Sequence, residues 1–140
     1  GMYYGPSGEV MKKFNTRDGA GLALLRQAGI RVAILTGEDS PIVLRRAEKL
    51  QIQDVLLGCT DKSQALRQLA EKYGFEMADV AYIGDDVNDV GAMRIAGLAF
   101  AVADAMEPAR AVADCVTTRK GGEGAVREAA DFILNARKQP

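Results

Sequence analysis

The sequence predicts an α/β fold, a parallel sheet with helices on both faces, and three observations predict it. Short apolar runs alternate along the chain with amphipathic segments. The runs, such as Val32–Leu35 and Val80–Ile83, are continuous rather than alternating, which is the pattern of strands covered on both sides. Each run is followed by a turn and then by a helix-start residue, so consecutive strands are joined by helical crossovers. At 140 residues the chain suits one domain. Residues 1–16 read as a β-hairpin flap and 17–140 as the α/β core.

The elements follow in order. Met2–Tyr4 and Glu9–Phe14 flank the turn-rich tetrad Gly5-Pro6-Ser7-Gly8 and predict the hairpin. Asp18 is expected to cap a helix with the apolar stripe Leu22, Leu25 and Ala28, ending at Gly29. Val32–Leu35 is the next strand. Ser40 as cap and Pro41 at the first helical position open a helix through Leu50. Asp54–Leu57 is a strand. Asp61 caps a helix carrying Ala65, Leu66, Leu69 and Ala70, closed by Gly74. Val80–Ile83 is a strand, Asn88–Ala96 a helix stopped by Gly97, and Leu98–Val102 a strand. A short helix led by Pro108 follows, then Cys115-Val116 as an edge strand. The last helix runs from near Gly124 to about Ala136.

Composition excludes several classes. Net charge is −1, with 18 basic and 19 acidic residues, whereas a phosphate-tracking nucleic-acid surface carries a basic excess. No apolar run approaches the ~18 residues of a membrane span, and no secretory signal is apparent. Cys59 and Cys115 are the two cysteines and form no CxxC pair, which argues for a reducing cytosol and against a cysteine zinc site. There is no histidine. Acid–base and metal chemistry therefore fall to carboxylates and lysines.

In a doubly wound sheet the ligand crevice lies beyond the carboxyl ends of the strands, and three strand ends carry chemistry. Thr36-Gly37-Glu38 offers a hydroxyl and free backbone N–H groups, a plausible phosphate cradle, though a plain capped turn would look the same. Lys62 falls in the first turn of a helix, where a cation opposes the dipole. That placement points to a ligand-facing task, with an ordinary solvated lysine as the alternative. Gly84-Asp85-Asp86-Val87-Asn88-Asp89 gathers three carboxylates and an amide at the mouth of an apolar strand. Like charges so close repel unless a cation neutralises them, and magnesium is the cation suited to oxygen ligands. The competing reading makes Asn88 or Asp89 a helix cap and leaves the other carboxylates solvated. A hydroxyl, a lysine and an acidic cluster together suit phosphoryl transfer.

This set resembles the haloacid dehalogenase (HAD) phosphatase superfamily over essentially the whole chain. It is similar in particular to the capless branch acting on eight- and nine-carbon 2-keto-3-deoxy sugar acid phosphates. The pieces that carry the resemblance are Gly8-Glu9 to Phe14-Asn15-Thr16-Arg17-Asp18-Gly19, Ile34-Leu35-Thr36-Gly37, Asp61-Lys62, Val80 to Asp89, Val102-Ala103-Asp104-Ala105 and Gly121-Gly122-Glu123-Gly124-Ala125-Val126-Arg127-Glu128. The resemblance implies a Rossmann-like HAD fold and a Mg2+-dependent phosphoric monoester hydrolase. It implies that Thr36 is the phosphate-binding hydroxyl and that Lys62 steadies the nucleophile and phosphate. Asp85 is the implied magnesium ligand, supported by Asp86 and Asp89. The hairpin resembles the flap through which members of the branch assemble as homotetramers. The glycine-rich segment before the last helix resembles the tail that closes the sugar site. Eight-carbon enzymes typically have arginine directly after the Thr-Gly, and tend to have it at the position of Glu123; here Glu38 and Glu123 stand there. Gly37, Glu38, Arg46 and Lys49 are the substrate-binding candidates. Glu38 would face sugar hydroxyls, Arg46 or Lys49 a carboxylate, and the preference leans to nine carbons.

One departure stands out. The branch places an Asp-x-Asp-Gly motif at the end of a central strand before the flap, and this sequence starts at Gly1-Met2, where the flap starts. The expectation is a sheet without its first central strand, with two exposed edges, and a shortened, impaired phosphatase. A start site placed too late would produce it, although Gly1-Met2 also fits native flap sequence. The alternative function is a non-catalytic HAD-like assembly or regulatory module, like the phosphatase-like domain attached to some acylneuraminate cytidylyltransferases. A receiver- or flavodoxin-type phosphate binder is a weaker third option, since no early strand carries the acidic residue or phosphate loop it needs.

Overall fold

Helix ends in this chain are set by local chemistry that recurs with little variation. In the computed structural model, which describes residues 2–5, 8–12 and 16–137, the order is β1 (Met2–Gly5), β2 (Gly8–Lys12), α1 (Thr16–Gln27), β3 (Ala33–Leu35), α2 (Pro41–Lys49), β4 (Asp54–Leu56), α3 (Lys62–Tyr73), β5 (Ala81–Gly84), α4 (Val90–Ile95), β6 (Leu98–Ala101), α5 (Glu107–Val112), β7 (Cys115–Val116) and α6 (Ala125–Arg137). Single 3-10 turns at Met77–Asp79 and Val87–Asp89 precede β5 and α4. Ser40 Oγ accepts from the Ile42 N–H and Asp61 Oδ1 from the Gln64 N–H, so both expected caps are present. The first helix begins two residues before the expected Asp18 start. The helix starts at Thr16, and Asp18 lies in its first turn, where an acidic residue also suits the dipole.

The C-terminal ends of α1, α2 and α3 share one motif. At α1, Ile30 N–H donates to the Leu25 carbonyl and Gly29 N–H to that of Arg26. At α2, Ile52 donates to Ala47 and Gln51 to Glu48; at α3, Phe75 donates to Ala70 and Gly74 to Glu71. Each is a Schellman closure with its middle residue in the left-handed region. Gly29 (φ 83°) and Gly74 (φ 72°) adopt it freely, but the second closure uses Gln51 at φ 60°. Burial of Ile52 beside it is the compensation.

β1 and β2 pair antiparallel, with a register shift between Tyr3 and Tyr4; the expected turn residues 6 and 7, and 13–15, fall outside the described residues. The remaining strands are all parallel to their partners. They form two groups, β3–β4 and β5–β6–β7, rather than one continuous sheet. Among the described residues β3 has a strand on one side only, and so does β5. The consequence shows in burial. Ile34, Leu35, Val55 and Leu56 are half-buried rather than fully covered, while β6 is buried from Ala99 on. The core therefore gathers in the three-stranded half. Met93, Ala99, Ala101, Val102, Ala105, Ala109 and Ala125 form it, with Tyr82 and Ile83 packed against it.

Small residues let the layers close. An added Cβ on Gly21 would sit 2.9 Å from Arg127 Cα, so α1 and α6 meet backbone to backbone. At Gly97 a Cβ would drive into the Ala78 carbonyl, and the Gly97 N–H donates to Met77 O at 2.9 Å.

Two substitutions check this reading by chemical denaturation. Gln51→Gly removes a left-handed strain of about 1–2 kcal/mol against a smaller glycine entropy cost, and is expected to stabilise by about 0.5–1 kcal/mol. Gly97→Ala overpacks a rigid backbone contact and is expected to destabilise by about 2–3 kcal/mol.

Candidate active site

The ends of β3 and β4 come together because their loops are hydrogen-bonded to one another. Thr36 N–H donates to the Leu56 carbonyl at 3.0 Å, Cys59 N–H to the Thr36 carbonyl at 2.8 Å, and Gly58 N–H to the Glu38 carbonyl at 3.0 Å. Thr36 Oγ1 accepts from the Glu38 N–H at 3.1 Å, which fixes the hydroxyl at the turn. Gly37 fits under this arrangement. A Cβ there would lie 3.5 Å from the Cys59 carbonyl and 3.8 Å from Asn88 Nδ2, so Asn88 brings the β5 loop alongside the Thr36-Gly37 turn.

Lys62 opens α3 and turns inward. Its Nζ donates to Asp89 Oδ1 at 2.8 Å, with 10% of the lysine side chain and 4% of the aspartate exposed. It is not a solvated lysine. Asp89 Oδ1 also accepts from the Tyr82 hydroxyl at 2.6 Å. Its other oxygen accepts the Asp85 and Asp86 N–H groups at 3.0 and 3.2 Å. Burial alone would raise the Asp89 carboxyl, but the Lys62 and Tyr82 hydrogen bonds and the Asp85 N–H outweigh it, and the group is brought down to about 2. For the same reason burial and the charge on Asp89 push the Tyr82 phenol well above its usual range, so it remains a donor.

The resemblance implies for Asp89 a part in supporting the metal ligand Asp85. Both oxygens of Asp89 are engaged, and among the described residues no three acidic or sulfur groups converge to hold an ion. Asp89 organises the loop. Asp86 is the cap of the turn at Val87–Asp89, and Asp89 answers it three residues on as a reciprocal capping box. The capping role expected of Asn88 or Asp89 alone thus belongs to an Asp86–Asp89 pair. Gly84 makes the fold-back possible, since a Cβ there would fall 2.7 Å from Asp89 Cβ.

Asp85 is left with its carboxylate at the mouth. Partial burial first, then Asp89 and Asp86, lift its carboxyl from 3.8 to about 6. A carboxylate raised by partial burial and by like-charged neighbours is one that a cation would neutralise. Asp85 and Asp86 are the exposed oxygen donors that would hold Mg2+, an ion that keeps several waters and so does not need a full protein shell.

A second wall stands beside Asp85. Met106 N–H donates to the Asp85 carbonyl at 2.8 Å and Val102 N–H to that of Gly84 at 3.3 Å, so the segment after β6 is bound to the acidic loop. From it Asp104 Oδ1 accepts the Gly121 N–H at 2.9 Å. Glu128 on α6 accepts from the Thr118 N–H, the Thr118 hydroxyl and the Arg119 N–H. Burial raises the Glu128 carboxyl less than these donors lower it. The entry to the glycine-rich segment, from Thr118 to Gly121, is thereby held by Asp104 and by α6.

Thr36, Gly37, Glu38, Lys62, Asp85, Asp86 and Asp89 thus share one end of the sheet. Arg46 and Lys49 do not. α2 runs away from that end, Arg46 places its guanidinium against Gly19 of α1, and Lys49 is exposed in the last turn. Periodicity put them on one helix face but could not say which way the helix runs from the site. Tyr82 was missed. Its signal was a lone hydroxyl within an aliphatic strand three residues before Asp85.

Fold and site define a class. A family model for the haloacid dehalogenase-like hydrolases matches residues 48–129, the stretch from α2 to α6 that holds Lys62 and the acidic loop, and the chain belongs to that family. It is 42% identical over 135 residues to the 3-deoxy-D-manno-octulosonate 8-phosphate phosphatase of Haemophilus influenzae, covering 96% of this chain and 75% of that one. The enzyme of the same description from Moraxella catarrhalis, solved with magnesium, phosphate and KDO, superposes with a TM-score of 0.93 at 45% identity, over 97% of this chain and 78% of that one. The cobalt-bound Haemophilus influenzae structure gives a TM-score of 0.95 at 41% identity, over 99% and 81%.

The raised Asp85 value has a sign that can be checked. Its folded value lies above its unfolded one, so without a cation stability rises as pH falls from about 7 through 6 toward 4, and is lost again as pH rises. Asp85→Asn is expected to stabilise the fold at pH 7 without added cation, by about 1 kcal/mol after discounting for solvent screening, and so to raise its melting temperature. The same variant should lose calorimetric Mg2+ binding.

Proposed function

We propose that this chain is a Mg2+-dependent phosphatase acting on the phosphate monoester of a 2-keto-3-deoxy sugar acid. The observation that carries the reading is the convergence of the Thr36 hydroxyl, the inward Lys62 ammonium and the Asp85–Asp86 carboxylates at one end of the sheet. The relatives' substrate, an eight-carbon sugar acid phosphate, supports the same reading.

In this scheme Thr36 Oγ1 and the backbone of Gly37 and Glu38 cradle the phosphoryl oxygens, and Lys62 neutralises charge that develops on them. Asp85 and Asp86 hold Mg2+, which supplies further charge neutralisation at the phosphate. The nucleophilic aspartate that the family resemblance implies is not among the described residues.

Two finer points belong to the proposal. Eight carbons is the length supported by the relatives; Glu38 at the rim favours nine, because a carboxylate there accepts from sugar hydroxyls. Assembly through the β1–β2 hairpin is also proposed. Val87 and Met106 stand 64% and 59% exposed beside the acidic loop, an apolar rim that a hairpin from another copy would cover. Free Cys59 and Cys115 fit a reducing compartment such as the cytosol.

The test is phosphate release with eight- and nine-carbon keto-sugar acid phosphates, with and without chelator. Turnover abolished by chelation is expected, with Thr36→Ala and Lys62→Ala each lowering kcat/KM by about 100-fold. Absence of turnover alongside intact Mg2+ and phosphate binding would instead identify a binding module.

A further inference from the structure

We propose that Tyr82 is a positioning residue that sets the reach of Lys62, by occupying the same carboxylate oxygen of Asp89 to which the lysine is bound. The proposal rests on the phosphatase reading above and adds to it a residue outside the phosphate cradle and the acidic loop.

The geometry is that of one shared acceptor. Asp89 Oδ1 takes the Tyr82 hydroxyl at 2.6 Å and Lys62 Nζ at 2.8 Å. Oδ2 takes the two backbone N–H groups of Asp85 and Asp86. A carboxylate has about four lone-pair sites, and these four donors fill them. Lys62 therefore has one N–H directed to Asp89, and its other two are left for a phosphoryl oxygen at the strand ends.

Removing the hydroxyl changes this balance. Oδ1 would then carry an unfilled lone pair in a site with only 3% of Asp89 exposed. An unfilled acceptor with so little access to water is costly, and the nearest donor that can move is the Lys62 ammonium. The lysine would turn a second N–H to Asp89 and withdraw from the phosphate. The tyrosine also places its hydroxyl firmly. Its ring stands on β5 and packs against the Met93–Ala99–Ala101 core, so the sheet determines where the donor lies.

Tyr82→Phe tests this, because the ring and its packing remain. With Mg2+ present, inorganic phosphate affinity and kcat/KM are each expected to fall about tenfold while the folded fraction at assay temperature stays unchanged. In a Lys62→Met background the same change should cost less than twofold, since the lysine it positions is gone. A tyrosine with a purely structural part would lower the melting temperature and leave kcat/KM of the folded protein alone, or would give the same tenfold loss in both backgrounds; either result overturns the proposal. A parent that binds phosphate but turns over neither sugar acid phosphate rejects the phosphatase reading, and a tenfold weaker phosphate affinity in Tyr82→Phe would still uphold the positioning role. A parent that binds no phosphate overturns both.

Discussion

A single buried carboxylate, that of Asp89, holds the site in shape. Four donors reach it from four directions: a lysine at the start of α3, a tyrosine on β5 and two consecutive backbone N–H groups of the loop between them and α4. A buried anion is tolerated when its lone pairs are satisfied and a counter-charge lies close, and both conditions are met. Because the donors come from α3 and β5, the carboxylate also ties the β3–β4 group to the β5–β6–β7 group. The two groups share no strand pairing among the described residues.

That division explains where the protein is well packed and where it is not. The three-stranded half has an alanine-rich core whose members are almost wholly covered. The two-stranded half keeps its aliphatic strands half-buried, and its fully buried side chains, such as Ala47, Ile52 and Ala70, come from the helices and turns around them. The three Schellman ends of α1, α2 and α3 return the chain toward β3, β4 and the turn before β5 in the same way. The close α1–α6 contact at Gly21 then joins the first helix to the last across the molecule.

Electrostatics divides the acidic loop into distinct tasks. Asp89, rich in donors, is held ionised down to about pH 2. Asp85, four residues before it, is pushed the other way to about 6, first by partial burial and then by Asp89 itself. Titratable neighbours pushed in opposite directions are common at functional sites. Asp86 stands between them, capping the turn while its carboxylate stays exposed.

Much of this was legible before any coordinates. Continuous apolar runs and the Ser40-Pro41, Asp61 and Gly74 signals located strands and helix ends, because caps and burial patterns act over a few residues. The same locality made Thr36, Lys62 and the Asp85–Asp89 run recognisable as strand-end chemistry. Other features depended on residues far apart in sequence. That Lys62 meets Asp89, that Tyr82 meets the same oxygen, and that α2 carries Arg46 and Lys49 away from the site all depend on how α3, β5 and α2 are placed. The left-handed Gln51 is of the same kind, since only the burial of Ile52 makes that conformation worth adopting. By itself the sequence determined the alternation of elements, the capped ends and the identity of the strand-end loops, all of which follow from period and local hydrogen bonding. Only the tertiary structure decided which carboxylate is buried among donors and which stays exposed. The number of donors that reach a buried oxygen, and hence its charge and its task, depends on packing across the whole chain.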